Sequence, residues 1–405
     1  MLAILTTHPI QYQVPLWQAL ARDGRVPFEV WYLTRHGTRS SHDPGFGQSF
    51  SWDLDLLSGY PHRFLDSVPG ATPNTFWRCQ AKESLVERMR SAGVKAIWIQ
   101  GWQVAGYWQA AWTATKAGAE VWLRGESNDI APISVWKRAI KRLVLGRLFQ
   151  RIDRFLYIGS ANRRLYEKFG VAKTRLYPTP YAVDNKRFEN QAAAIRDLRS
   201  EIRREWGIAP DAFCVLFCGK FIPKKRPLDL VKAAQSLISS NRLPNIHLLF
   251  VGSGELGAEL RQSCNVAFDQ EADDLTSDLR PPTSDEKPPA SFAGFLNQTE
   301  ISRAYVAADC LVLPSDHGET WGLVVNEAMA SGLPCIISDQ CGCSVDLGVS
   351  THNRVFSCGN VDAVSDAIVS VADEQPKVGN SDISLPSFQQ TVETVAHLYA
   401  ERSMP

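Results

Sequence analysis

Residues 311–338 read LVLPSDHGETWGLVVNEAMASGLPCIIS. An apolar triplet, Leu311–Leu313, leads through a polar loop into a helical stretch, Leu323–Ala330, and on to a second short apolar run, Cys335–Ser338. A short buried run, a helix and another short buried run make a parallel βαβ unit. The pattern extends backwards. Phe213–Cys218 and Ile246–Val251 read as strands around the helix Pro227–Ser239, and the second strand ends in Gly252-Ser253-Gly254. A separate set precedes residue 210, with strands at Leu2–Thr6, Phe28–Leu33, Ala96–Gln100, Val121–Leu123 and Phe155–Ile158 and helices at Ala81–Ala92 and Tyr107–Ala117. The expectation is α/β: two Rossmann-like, doubly wound domains in tandem, 1–190 and 191–380. The join falls in the polar stretch Asp184–Arg203 after Pro178 and Pro180. Residues 381–405 carry Val392, Val395, Ala396 and Tyr399 at helical spacing, a closing helix that needs a surface to cover it. Ligands of open α/β sheets bind outside the carboxyl ends of the strands, which makes the interdomain cleft the expected site.

Composition agrees with two domains. The chain has 405 residues, 43 basic and 43 acidic side chains, 44% hydrophobic and 21% charged residues, which is ordinary globular usage. The zero net charge hides a separation. Residues 1–190 hold 26 Lys+Arg and 15 Asp+Glu, or +11, and the remainder holds 17 and 28, or −11. Ten of the twelve tryptophans precede residue 137. No run reaches the ~18–20 apolar residues of a membrane span. The first residues lack a basic n-region and a cleavage motif, so no signal peptide is expected. Eight of the nine cysteines follow residue 213, mostly in apolar runs, and read as reduced buried thiols. Cys341-Gly342-Cys343 has no second pair to make a zinc site, and no metal is expected. Residues 269–290, with seven acidic residues and four prolines, read as a polar surface insertion.

Two motifs carry chemistry. Glu319 and Glu327 stand eight apart across a loop that enters a helix. Backbone N–H groups of Thr320, Trp321, Gly322 and Leu323 at that helix start suit phosphate oxygens. Glu327, one to two turns inside, suits vicinal hydroxyls such as those of a ribose, and Glu319 faces what lies beyond the phosphates. The second motif is Gly219-Lys220-Phe-Ile-Pro-Lys224-Lys225-Arg226, directly after strand 213–218. Gly219 permits a sharp turn, and Lys220 and Lys225 are placed to pair with a diphosphate.

These residues resemble the family 4 retaining glycosyltransferases of the GT-B fold. The matching stretches are GKFIPKKRP, FVGSGELGAEL, FAGFLNQTEI, AADCLVLPSDHGETWGLVVNEAMASGLPCIISD and YPTPYAVDNKRF, covering most of residues 150–347. The resemblance implies a hexose-type sugar moved from a nucleoside-diphosphate donor to an acceptor hydroxyl, with retention and without a metal. It implies a donor held by the C-terminal domain: diphosphate by Lys220 and Lys225, base framed around Gly294, Phe295 and Leu296, donor sugar at Glu319, ribose at Glu327. The closing helix would cross back to the first domain. In that domain the usual glycine-rich loop is replaced by Thr7-His8-Pro9-Ile10-Gln11-Tyr12-Gln13, and the usual histidine motif by Arg124-Gly125-Glu126-Ser127. A subset of the family looks similar at both places and at Trp52–Tyr60.

His8, Gln11, Tyr12 and Trp102 are the candidate acceptor-binding residues, Trp102 because an indole face stacks on sugar rings. Arg124 is assigned to the departing diphosphate and Glu126 to the acceptor hydroxyl; the competing reading is a buried Arg–Glu pair that holds the loop. Trp98, Trp112 and Trp122 read as core, and Asp53 and Asp55 as structural. The basic stretch Trp136–Arg154 puts Trp136, Ile140, Val144, Leu148 and Ile152 four apart. Three readings stay open for it: a surface helix with its stripe in the core, docking on an anionic membrane, or attraction of an anionic soluble acceptor. The functions in play are a glycosyltransferase of polysaccharide, glycolipid or glycosylated-metabolite assembly, at the cytoplasmic side of a membrane or free in the cytoplasm; a nucleotide-sugar 2-epimerase of the same fold; and a non-catalytic sugar-binding module. Nucleic acid is not an expected partner, since no reader motif accompanies the basic helix.

Overall fold

The structure, a computed structural model, describes residues 1–38, 41–43, 48–50, 55–132, 134–271, 286–374 and 384–403. Trp52, Asp53 and most of the 269–290 segment lie outside the described residues. The chain divides into two compact units: residues 1–41, 54–183 and 386–405, and residues 42–53 with 184–385. The boundary drawn at residue 190 from sequence falls inside a helix, Asn185–Ile195.

The first unit runs β1 (Leu2–Thr6), α1 (Val14–Asp23) and β2 (Phe28–Tyr32), and is then interrupted by β3 (Ser41–Asp43) and β4 (Gln48–Phe50), which pair as a separate small sheet that groups, from residue 42, with the second unit. It continues with β5 (His62–Phe64), α2 (Leu85–Ser91), β6 (Ala96–Ile99), α3 (Ala105–Ala117), β7 (Glu120–Leu123), α4 (Val135–Phe149), β8 (Arg154–Tyr157), α5 (Ser160–Lys168) and β9 (Leu176–Pro178). The parallel sheet has the order β5-β2-β1-β6-β7-β8-β9. Its central strands β1 and β6 are buried on both faces, which is why they read as continuous apolar runs rather than alternations. Local signals end the helices. Gly24 and Gly118 take left-handed conformations after α1 and α3, and Ser84 caps α2 through its hydroxyl.

The second unit holds α6 (Asn185–Ile195), α7 (Arg199–Glu205), β10 (Phe213–Cys218), α8 (Pro227–Ser239), β11 (Ile246–Val251), α9 (Gly257–Gln262), β12 (Asn265–Asp269), β13 (Pro289–Phe292), α10 (Ser302–Ala307), β14 (Cys310–Leu313), α11 (Leu323–Ala330), β15 (Cys335–Ser338), α12 (Ser344–Leu347), β16 (Arg354–Phe356) and α13 (Val361–Glu374). The sheet order is β12-β13-β11-β10-β14-β15-β16, all parallel. Asp309 ties this unit's helices to its sheet. Its carboxylate takes Arg199 at 2.7 Å, Arg203 at 2.6 Å and the backbone N–H of Cys214 at 2.7 Å.

Three sequence expectations change. Residues 289–290, read as the end of a polar insertion, begin the interior strand β13, where Ala290 is fully buried. Trp98 and Trp122 are core, but Trp112 is partly exposed on α3 and stacks on Trp108. On α4, Leu148 and the following Ile152 are buried, whereas Trp136, Ile140 and Val144 face solvent.

The closing helix α14 (Phe388–Ser403) belongs to the first unit. Val392, Val395 and Leu398 are fully buried. Glu393 pairs with Arg25 and Glu401 with Arg154, both at the surface, so the buried face carries most of the docking energy. Leu398→Ala is therefore expected to cost about 2–5 kcal/mol. The check is urea unfolding of the first unit's transition, with Glu393→Ala, expected within about 1 kcal/mol of wild type, as the control.

Candidate functional site

In the second unit the chain runs from β10 through β11 towards β13 on one side, and from β14 through β15 to β16 on the other. The neighbours β10 and β14 form the topological switch point, where crevices open at the carboxyl ends of open sheets. The loops that leave these ends are stitched together by backbone. Gly219 donates its N–H to Val251 and Gly252 donates to the carbonyl of Gly294, at 2.9 and 2.7 Å. A Cβ on Gly252 would stand 2.1 Å from the Gly219 carbonyl oxygen, and φ at Gly252 is +125°. Only glycine fits there.

After Gly219 and the half-exposed Lys220, a 3₁₀ turn at Pro223–Lys225 carries Lys225 to the loop after β14. Its ammonium forms an ion pair with the Glu319 carboxylate, and both side chains are largely buried. On its other side the 319–322 loop meets the loop after β15. Gly342 donates to the carbonyl of Glu319 at 3.1 Å and Cys343 to that of Trp321 at 3.0 Å. Gly322, with φ +105°, starts α11, which has neither a side-chain cap nor an acidic residue in its first turn. The N–H groups of that turn therefore keep the partial positive charge of a helix start. Thr320 is exposed and Leu323 half-exposed at this end. Trp321 points inward and donates from its indole nitrogen to Asn326 at 2.9 Å, bracing the helix start.

Glu327 is buried on α11, where it accepts a 2.6 Å hydrogen bond from the Tyr305 hydroxyl on α10. Burial, with the Glu327 charge nearby, pushes the Cys218 thiol at the end of β10 up to about 12. Gly219, Gly294, Lys225, Glu319, residues 320–323 and Glu327 thus gather at one end of one sheet, with Lys220 and Phe295 at the same strand ends. The sequence reading missed Tyr305, whose partnership with Glu327 spans two helices.

In the first unit the switch point lies between β1 and β6. His8 follows β1, with its Nδ1 2.8 Å from the Thr7 hydroxyl and its ring edge-on to His36 at 5.1 Å. Burial, with His36 adding to it, lowers the His8 pKa to about 4. Gln11 is buried. Trp102 follows β6, but its ring is seated against Phe149 and the backbone of Gly125, where a Cβ would meet it at 2.8 Å. It supports the 124–127 loop while staying half-exposed.

Arg124 and Glu126 follow β7, and Tyr181 joins them. The Arg124 guanidinium lies over the Tyr181 ring, 4.9 Å from its centroid, and the Tyr181 hydroxyl donates to Glu126 at 2.8 Å. Burial holds the Arg124 pKa below its usual range and raises that of Tyr181. The competing Arg–Glu pair is thus a relay through a tyrosine that sequence reading left unassigned. Gly125 and Ser127 are fixed by the Tyr166 hydroxyl at 3.0 Å and the Asn162 amide at 2.6 Å. Tyr12 lines a small cavity with Arg124 and Tyr181. Asp55 is exposed and accepts from the Leu57 N–H, a turn contact. All nine cysteines are free thiols.

Residues 212–374 match the family described as glycosyl transferases group 1. Among curated proteins, a D-inositol 3-phosphate glycosyltransferase of Pseudarthrobacter chlorophenolicus is 31% identical over 186 residues, 46% of this chain and 39% of the relative. A UDP-Gal:alpha-D-GlcNAc-diphosphoundecaprenol alpha-1,3-galactosyltransferase of Escherichia coli is 28% identical over 198 residues, 48% of this chain and 45% of the relative. The chain thus spans less than half the length of either. Among solved structures, HepE of Anabaena in complex with UDP and glucose shares the fold with a TM-score of 0.60 at 14% identity, over 99% of this chain and 95% of that one.

Two measurements test the geometry. Tyr305→Phe leaves the buried Glu327 carboxylate short of a donor, which costs about 1–3 kcal/mol; calorimetry should show the loss in the second unit's transition. His8 has a folded pKa near 4 against 6.5 unfolded. Between those values the unfolded chain binds the extra proton, so stability present above pH 6.5 is lost as pH falls towards 4. His8→Asn should remove that part of the acid slope of the first unit's urea midpoint; an unchanged slope would show that His8 titrates alike folded and unfolded. Residues 212–374 thus match the model of the group 1 glycosyl transferases, and the chain as a whole shares its two-unit Rossmann-like fold with HepE.

Proposed function

We propose that the protein transfers a hexose-type sugar from a nucleoside-diphosphate donor to an acceptor hydroxyl, with retention and without a metal. The observation that carries this reading is the Lys225–Glu319 ion pair beside the uncapped start of α11, at the switch point of the second sheet. Two lysines and a helix start supply positive field for a diphosphate, and Glu327, braced by Tyr305, presents a carboxylate to ribose hydroxyls. The diphosphate competes with Glu319 for Lys225, which turns the Glu319 carboxylate towards the donor sugar. HepE is solved with UDP and glucose, and the Escherichia coli relative is named for transfer from UDP-Gal. Both support a nucleotide-sugar donor here.

In the retaining step the bond from the anomeric carbon to the β-phosphate oxygen breaks. The acceptor oxygen bonds to the same face of that carbon, and the acceptor proton passes to the leaving phosphate. The protein's part is positioning and charge stabilisation. Arg124 is assigned to the departing charge, and Glu126, with His8, Gln11, Tyr12 and Trp102, to the acceptor side. The acceptor is a small molecule, a glycan or a lipid-linked glycan, in polysaccharide, glycolipid or glycosylated-metabolite assembly.

A thermal-shift series with nucleoside diphosphates tests the core of the reading. At a hundredfold excess over Kd, stabilisation is about 2.7 kcal/mol, a rise of several degrees for a unit of this size. Lys225→Ala and Glu327→Ala should abolish the shift. No response to any nucleotide would sink the proposal, and NMR of the product's anomeric configuration tests retention.

A further inference from the structure

Helix α4 is inverted for a surface helix. A surface helix normally turns its apolar side to the core and its charges to water. Here Val135, Trp136, Ile140, Leu143 and Val144 are 81, 62, 55, 61 and 45% exposed. Trp136, Ile140, Leu143 and Val144 share one side, at the i, i+4, i+7 and i+8 positions. The opposite side of the same turns is basic: Arg138, Lys141 and Arg142 line a cavity of about 390 Å³ together with Leu165, Lys168 and Phe169 of the α5 region. Only the last turns anchor the helix, through Leu145, Leu148 and Phe149.

The cavity suits an anion. Asp129 is the one carboxylate among its described lining residues, and it is already engaged by Arg164 at 3.2 Å and Lys168 at 2.6 Å. Residues 134–150 contain no Asp or Glu. Among the described residues no carboxylate lies within ion-pair reach of Lys141 or Arg142. Burial lowers the Lys141 pKa, a desolvation cost that a bound anion would offset. The apolar side continues beyond the helix, where the Arg151 guanidinium lies over the partly exposed Trp112, itself stacked on Trp108.

An exposed apolar ridge needs an occupant. A second copy meeting this face about a two-fold axis would bring the same cations opposite themselves. A lipid surface of negative charge meets both sides at once. Apolar side chains of interfacial helices enter the headgroup–acyl boundary to a depth of about 5–10 Å, with basic residues on anionic headgroups. We propose that α4 seats the first unit on an anionic lipid surface, with Trp136, Ile140, Leu143 and Val144 entering the boundary and Lys141 and Arg142 at the cavity taking a lipid phosphate. This assignment is independent of the reaction proposed above.

The experiment is flotation of the full chain with phosphatidylglycerol/phosphatidylcholine vesicles and with phosphatidylcholine alone. Binding should occur on the anionic vesicles and weaken steeply between 50 and 500 mM NaCl. Each basic side chain near such a surface contributes about fivefold, so Lys141→Glu/Arg142→Glu should weaken binding on the order of a hundredfold. Ile140→Asp/Leu143→Asp should abolish it on the same vesicles. Ile140, Arg142 and Leu143 are exposed and Lys141 is half-buried, so the melting temperature should stay within a few degrees of wild type and separates lost binding from lost folding. Three results would overturn the proposal: no salt-sensitive flotation, flotation unaffected by both double variants, or a dimer in sedimentation that Ile140→Asp/Leu143→Asp dissociates while vesicles fail to bind.

Discussion

At Gly342 the carbonyl oxygen of Thr320 comes so close that a Cβ would stand 1.8 Å from it. At Gly252 the carbonyl of Gly219 does the same at 2.1 Å. These are contacts of backbone on backbone, and no side-chain rotation relieves them. The candidate site depends on them. The first presses the 319–322 loop against the loop after β15, so that Glu319 projects towards Lys225 and Gly322 sits at the start of α11. The second locks the loop after β10 to the end of β11, which fixes where Gly219 releases the chain into the basic turn. A site made this way is preorganised by main chain, the least adjustable material a fold has. Its side chains can exchange partners without the scaffold moving.

What was legible in the sequence was local. The eight-residue interval between Glu319 and Glu327, the loop entering a helix and the glycine at the end of β10 are all consequences of short-range geometry. The pairing of a lysine loop with a glutamate loop 94 residues later followed from parallel topology, because both loops leave the same end of adjacent strands. What was not legible is held through space by groups without a sequence mark. Tyr305 reaches Glu327 across two helices, and Tyr181 joins Arg124 to Glu126 from 55 residues away. Neither tyrosine differs in its neighbourhood from any aromatic in a core. β13 was lost for the opposite reason, since it abuts a polar, proline-rich segment that masks its apolar run. On α4 the period was legible and the facing stayed open. Periodicity says that two sides differ, and only the neighbouring elements decide which one is buried.

The relay through Tyr181 also changes the chemistry available to the first unit. A direct Arg–Glu ion pair would spend the charge of each on the other. With an aromatic ring under the guanidinium and a phenol on the carboxylate, the two charges are held apart, each by a neutral partner. Burial disfavours the Arg124 charge, a cost that an arriving anion would offset. Under the proposed reaction the departing anion would meet Arg124 and the acceptor hydroxyl would meet Glu126.

The separation of +11 and −11 along the chain then has a physical reading. Exposed charges beyond a Debye length, about 8–10 Å at moderate salt, are largely screened from one another, so the acidic total of the second half does not set the potential at its own strand ends. There Lys220 and Lys225 stand on the loop after β10, Lys225 meets Glu319 just before the start of α11, and Lys225 and Glu319 are shielded from solvent. Elsewhere in that unit arginines are neutralised in place: Arg199 and Arg203 by Asp309, Arg261 by Asp269. The basic excess of the first half is different in kind. On α4 it stays close to water, on the side of the helix opposite an uncovered apolar ridge. Internal ion pairs spend charge on stability, whereas charge left over beside exposed apolar surface remains available to something outside the chain.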